Sequence, residues 1–223
     1  MVGSILKRIA ARMPEWVQHE LRRVFFNVQI RGRRFATDEK EYALLHRFLG
    51  PGDWALDIGA NVGHYTLRLS ELVGPTGRVV AFEPVPNTFA LLAANVRLAA
   101  YQNVSLLNLA ASDSTRSVSI EIPQFADGLT NYYMAHLSDR PSALAILTLP
   151  VDALGLTQRI KLVKIDVEGH ELAVLRGMHA LIERDQPVLI VETASGETTD
   201  LLHAAGYVTE RLPGSSNLLC TPK

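Results

Sequence analysis

Apolar residues recur along this chain in two rhythms. The segments "DWALDIG", "GRVVAFEP", "NVSLLNLAA", "IKLVKIDVEG" and "PVLIVETA" are short apolar runs bounded by Gly, Asp, Asn or Pro, the pattern of strands buried on both faces. Between them the spacing turns helical: over 62–73, over 87–100 with Phe89, Leu91, Leu92, Val96 and Leu98, from the fourth strand through Leu181, and over 197–205. "SVSIEIP" and "AILTLPVDAL" read as an added pair of strands, separated by a loop holding Asn131, Tyr132, Tyr133, Met134 and His136. "GYVTERL" and "NLLCTPK" flank the turn "PGSSN" and predict a terminal hairpin. Strands and helices in alternation predict a doubly wound parallel sheet with one antiparallel strand at its end.

The first residues follow a different pattern. Ile5, Leu6, Ile9, Met13, Val17, Leu21 and Val24 stand three and four apart, so helices interrupted at Pro14 would carry one apolar face. That face is expected to pack on the domain or on a second subunit, in preference to a membrane surface. Residues 1–34 hold eight Lys/Arg against two Asp/Glu, net +6, while the remainder is net −7. The basic residues are not interleaved with an aromatic platform and the body is acidic, so nucleic acid is not an expected partner.

At 223 residues the chain suits one large α/β domain over 35–223 behind a helical arm over 1–34. A hydrophobic content of 48% with 20% charged residues excludes a disordered chain, and no apolar run reaches membrane-spanning length. The single cysteine, Cys220, excludes intrachain disulfides, cysteine-rich zinc sites and CxxC chemistry, and a reducing cytoplasm fits. The basic start has no sustained apolar core and is not read as a signal peptide.

Ligands of doubly wound sheets bind at the carboxyl ends of the strands. After the first strand the chain has Asp57-x-Gly59-x-Asn61-x-Gly63-His64, which lacks the second and third glycines of a dinucleotide fingerprint and the Gly-Lys-Ser/Thr of a Walker loop. What remains is a tight turn in which Gly59 admits a close ligand and Asn61 tolerates a left-handed conformation. Asp57 suits a positive group, and free amides at the helix start suit a negative one, as in an amino acid zwitterion. Glu83 ends the second strand, where a carboxylate can accept both hydroxyls of a ribose. Either acid alone reads equally well as a solvated loop residue; together they suggest an amino acid joined to a nucleoside, which S-adenosylmethionine satisfies.

"LDIGANVGHYT", "VVAFEPVPNTFALLAANV", "LVKIDVEGHELAVLRGM" and "PVLIVE", in this order, resemble the FkbM family of S-adenosylmethionine-dependent methyltransferases over roughly 42–220. The resemblance implies the class I methyltransferase, Rossmann-like fold: a doubly wound seven-stranded sheet whose last strand is antiparallel. It implies O-methylation of a small-molecule, glycan or natural-product hydroxyl. By position, Asp57, Gly59, Asn61 and Gly63 would line the methionine part, Glu83 the ribose, and Ala111 to Asp113 the adenine, with Asp113 equally readable as a turn residue. The arm and the insert around 123–145 lie outside the strongest motifs and are expected to set substrate choice; Tyr132, Tyr133 and His136 are candidate acceptor contacts there.

Chemistry is expected beside the fourth strand, whose end carries Asp166, Glu168, His170 and Glu171. Methyl transfer needs an aligned acceptor and a place for the hydroxyl proton. His170 has the intrinsic acidity for a base, Asp166 lies nearest the expected methyl position with Glu168 alongside, and Glu171 is read as a first-turn carboxylate. Glu192 ends the neighbouring fifth strand, so Asp166 and Glu192 could hold Mg²⁺, or else repel until one takes up a proton. His64 is read as a helix-start residue that caps or touches the cofactor. Two other readings stay open: a regulatory protein that binds the cofactor without catalysis, and an oxidoreductase on a similar fold.

Overall fold

The computed structural model describes residues 13–123, 134–138 and 144–223. Its main sheet is built from β1 (Trp54–Ile58), β2 (Arg78–Phe82), β3 (Val104–Leu107), β8 (Ile160–Ile165), β9 (Val188–Glu192), β10 (Tyr207–Glu210) and β11 (Asn217–Pro222). These seven strands lie in the order β3-β2-β1-β8-β9-β11-β10. β11 runs antiparallel to both its neighbours, and the other pairings are parallel. Strand order reverses between β1 and β8, and the predicted ligand loops follow the carboxyl ends there.

Alternation along each strand feeds two cores. Leu56, Ile58, Val80, Phe82, Val163, Ile165, Leu189 and Val191 share one buried cluster, while Ala55, Val79, Leu162 and Ile190 meet Leu45, Tyr65, Leu69 and Val73 on the opposite face. Helices α3 (His64–Val73) and α4 (Pro86–Val96) follow β1 and β2; α5 (Glu171–Arg176) and α6 (His179–Asp185) lie between β8 and β9, and α7 (Gly196–Ala204) follows β9. The stretch expected as a single helix through Leu181 is thus two. The break falls at Gly177, where a Cβ would stand 1.8 Å from the Ser112 carbonyl oxygen, so this turn is pressed against the neighbouring chain.

The predicted third strand also divides. β3 ends at Leu107 because Asn108 turns its amide onto the carbonyls of Glu83 (2.8 Å) and Pro84 (3.1 Å), and Ala110–Ala111 (β4) then joins a second sheet. That sheet adds β5 (Arg116–Glu121), β6 (His136–Ser138) and β7 (Ala145–Leu149), in the order β4-β7-β5-β6. The expected pair of strands is therefore part of a four-stranded unit, with His136 on a strand rather than in a loop. The final "VDAL" of its second segment is a 3₁₀ turn, Val151–Leu154.

The arm's helix α1 (Glu15–Arg31) packs on α4 through Phe26 and Ile30, which join Val62, Leu67, Leu91, Leu92 and Val96. This corrects the expected face: Leu21 and Val24 are exposed. The aromatic Phe26 won the buried position, supported by edge contact with Phe35 at 5.7 Å. The segment after α1 leads to the short helix α2 (Lys40–Leu44) and over the end of β1. Among the described residues no helix is long and apolar enough to cross a membrane.

Candidate active site

The loop after β1 folds as its sequence predicts. Asn61 and Gly63 adopt left-handed φ angles of 48° and 98°, and Gly63 caps α3. Gly59, also left-handed, has a different reason for being glycine than a nearby ligand: its Cβ would lie 1.8 Å from the Asp166 carbonyl oxygen. The β1 and β8 loops touch here; Asp57 stands opposite Lys164 in the strand register, and Asp166 lines the same cavity.

Two adjoining cavities open at this point and share Glu39, Gly59, Asn61 and Asp166. The first, about 270 Å³, runs from Glu192, Asp166 and Glu168 past Glu83 to an apolar end formed by Val85, Leu109, Ala111, Ile120 and Leu137. The second, about 350 Å³, contains Asp57, His64, Tyr65 and Lys164.

Glu83 is almost fully buried, its two oxygens accepting the Asn61 amide at 2.9 Å and the Val85 amide at 2.8 Å. Burial nonetheless lifts its pKa to about 7, with Asp57 and Asp166 adding to the rise. Asp57 is 1% exposed and accepts the Thr66 hydroxyl at 2.5 Å; burial raises it to about 6 against the pull of Thr66 and Lys164. Both carboxylates are held ready for a positive or hydrogen-donating ligand and are costly to ionise without one.

At the other end, Asp166 and Glu192 are hydrogen-bonded to each other, and burial followed by the charge of Asp166 raises Glu192. Lys164, 2% exposed, places its ammonium 3.2 Å from Asp166 Oδ2 and 3.3 Å from Asn217 Oδ1, above the Tyr65 ring. Of the two, Glu192 is the one pushed toward its protonated form, while the Lys164 cation stands against Asp166. This donor set does not fit a Mg²⁺ site. A cation already sits against Asp166, and no group of three or more His, Cys, Asp or Glu among the described residues is placed to ligate a metal. Glu168, in a left-handed turn at φ 50°, lines the cavity beside them and is raised by burial and by Asp166.

His170 lines the same cavity. Its Nε2 is 2.9 Å from Ser112 Oγ, which ties the start of α5 to the turn after β4, and burial lowers its pKa. Glu171 accepts the Gly169 amide at 2.8 Å in the first turn, as expected of a dipole-complementing carboxylate. Ala111 lines the apolar end, whereas Asp113 is exposed and bonded to Ser114 and Ser112, the turn reading of that residue. His136 reaches the cavity from β6; Tyr132 and Tyr133 lie outside the described residues. His64 stacks on Phe35 at 4.1 Å and meets the arm's Phe26 edge-on at 6.4 Å.

Two participants escaped the sequence reading. Glu39 walls both cavities and accepts the Tyr65 hydroxyl at 2.7 Å and the Asn217 amide at 2.9 Å, but it sits far from every strand end in the chain. Lys164 hides in the middle of an apolar strand, where the polar residue in "KLVKI" was itself the available signal.

Residues 57–209 match the Methyltransferase FkbM domain. A hexuronic acid methyltransferase, AglP, of Haloferax volcanii is 34% identical over 161 residues, covering 69% of this chain and 63% of that protein, so the chain spans less than two thirds of that relative's length. The solved structure of a methyltransferase FkbM from Methylobacillus flagellatus KT aligns with TM-score 0.55 at 17% identity, over 80% of this chain and 50% of the other. Fibrillarin of Aeropyrum pernix, solved with bound S-adenosyl-L-methionine, aligns with TM-score 0.51 at 16% identity, over 81% and 73%. The two structures share the fold, the strand order matches the class I methyltransferase sheet, and with the domain match spanning most of its length the chain belongs to the FkbM methyltransferase family.

Proposed function

We propose that the protein is an S-adenosylmethionine-dependent methyltransferase acting on a hydroxyl, or another oxygen, of a sugar-like small molecule. The observation that carries this reading is the cavity itself: Glu83 at its middle, an apolar end beyond, and the Asp166–Glu192 pair at the other end. Its size and order suit an adenosine joined to a charged amino acid, with Val85, Leu109 and Ile120 against the base and Glu83 accepting ribose hydroxyls through its remaining lone pairs. Asp57 and Glu39 would face the ammonium group from the second cavity. Bound there, the cofactor supplies a methyl group on a positively charged sulfur, an already activated leaving group.

The chain's own task is then alignment and proton removal. Asp166, steadied by Lys164 and lying beside Glu192, would present a carboxylate that accepts the acceptor hydroxyl's proton as the new C–O bond forms and the methyl–sulfur bond breaks. His170 is engaged by Ser112 and supports the cavity wall. Sugar oxygens are favoured as acceptors by the ring of carboxylates, which offers hydroxyl-binding oxygens at Glu168, Asp166 and Glu192, and by the similarity to the hexuronic acid methyltransferase.

The test is transfer from methyl-labelled S-adenosylmethionine to a panel of neutral and acidic sugars, with Asp166→Asn alongside. Asp166→Asn should lower kcat by about 10² to 10⁴ with cofactor affinity nearly unchanged. EDTA should leave turnover intact. No heat of binding with S-adenosylmethionine or S-adenosylhomocysteine would overturn the cofactor assignment, and label transferred only to nitrogen acceptors would overturn the oxygen chemistry.

A further inference from the structure

With Phe26 and Ile30 turned onto the domain, the opposite face of α1 presents Leu21, Val24, Phe25 and Val28, each about half exposed. Their spacings of three, one and three residues put all four on one side of the helix, a continuous apolar stripe rather than scattered surface residues. Trp16 is also exposed but lies off this stripe, and the large exposed hydrophobic residues described beyond α1, Tyr101, Met134, Leu147 and Val208, are scattered singly along the chain. No described part of this chain offers a matching apolar face.

Charge narrows the choice of occupant. Residues 13–34 hold five Arg and two Glu, and residues 1–34 together are net +6, against −7 for the rest. Two copies meeting stripe to stripe would bring two cationic arms together, and a stripe against another copy's acidic body would find no apolar partner there among the described residues. A surface that is anionic outside and apolar beneath satisfies both features of the arm. We propose that α1 is a membrane-surface helix, lying on anionic phospholipid with Leu21, Val24, Phe25 and Val28 in the acyl boundary and its arginines at the headgroups. α1 is too short and too polar to cross the bilayer, so the attachment is peripheral. The segment that follows it walls the cofactor cavity through Glu39, so the helix that grips the lipid is joined directly to the catalytic end of the sheet.

The experiment is co-sedimentation of the full chain with vesicles of phosphatidylcholine alone and of equal parts phosphatidylcholine and phosphatidylglycerol. Neither cofactor nor acceptor is needed, so the outcome is independent of the methyltransferase reading. Binding should be about tenfold or more tighter to the anionic vesicles and should weaken in high salt. The double variant Val24→Glu/Phe25→Glu should lose it while keeping the wild-type thermal midpoint, since both side chains are solvent-facing. Equal binding to both vesicle types, or to neither, overturns the proposal. So does a solution dimer that the double variant converts to monomer, which would make the stripe a self-interface. Binding that survives the double variant but disappears on removal of residues 1–12 would place the lipid contact outside α1 and also refute it.

Discussion

Substituting Glu83 by glutamine keeps the shape of the side chain and removes its ionisation, so it isolates what that buried carboxylate costs and contributes. In the folded protein Glu83 is lifted from the ordinary 4.5 to about 7, chiefly by burial. The sign follows from proton counts: between these values the unfolded chain has released the proton and the folded one still holds it, so stability falls as pH rises through this window. Above about pH 7 the whole penalty is present, about 3 kcal/mol at 1.36 kcal/mol per pH unit. The Glu83→Gln variant escapes this penalty but gives up one of the amide bonds from Asn61 or Val85, a loss of about 1 to 3 kcal/mol at every pH. Chemical denaturation at intervals from about pH 4.5 to about pH 8 should therefore show the variant gaining about 3 kcal/mol on the wild type across the range. Affinity for S-adenosylmethionine should run the other way. The wild type should bind more weakly by up to about tenfold for each pH unit below about 7, because the ribose needs the ionised acceptor, while the variant binds about ten- to hundredfold more weakly with a flatter profile. Parallel stability curves, constant in their difference to within about 0.5 kcal/mol, would refute the buried-carboxylate argument. An unchanged affinity would remove Glu83 from the ribose.

Gly59→Ala should destabilise the fold by about 3 kcal/mol or more, since a methyl group at φ 82° would stand 1.8 Å from the Asp166 carbonyl; a denaturation midpoint equal to wild type would refute it. Lys164→Met should cost about 3 to 5 kcal/mol, because it leaves the Asp166 carboxylate beside Glu192 without its buried cation; a denaturation midpoint equal to wild type would count against the charge argument. His170→Ala should change kcat by less than about tenfold and weaken cofactor binding slightly through loss of the Ser112 contact, whereas a fall of about 10² or more with binding intact would restore it as the base.

Local rules were enough for much of this protein. The five apolar runs became the parallel strands, because a strand buried on both faces has no other composition open to it. The left-handed turn at Asn61 and Gly63, the terminal hairpin and the positions of Asp57, Glu83, Asp166 and Glu192 at strand ends follow from neighbours in the chain. Tertiary structure decided everything that depends on which strand ends meet. Gly59 is glycine because β8 passes against it, and the helix after β8 breaks because Gly177 is pressed on Ser112, contacts between residues far apart in sequence. The face of α1 was settled by competition between Phe26 and the Leu21–Val24 side for the groove on α4, which spacing alone cannot rank. Glu39 and Lys164 join the site only because the sheet order places the arm's exit, β1, β8 and β11 around one point, and the acidity of the site belongs to that gathering. A carboxylate's charge is written in the sequence, but its pKa depends on the water it loses and the charges it meets when the chain folds.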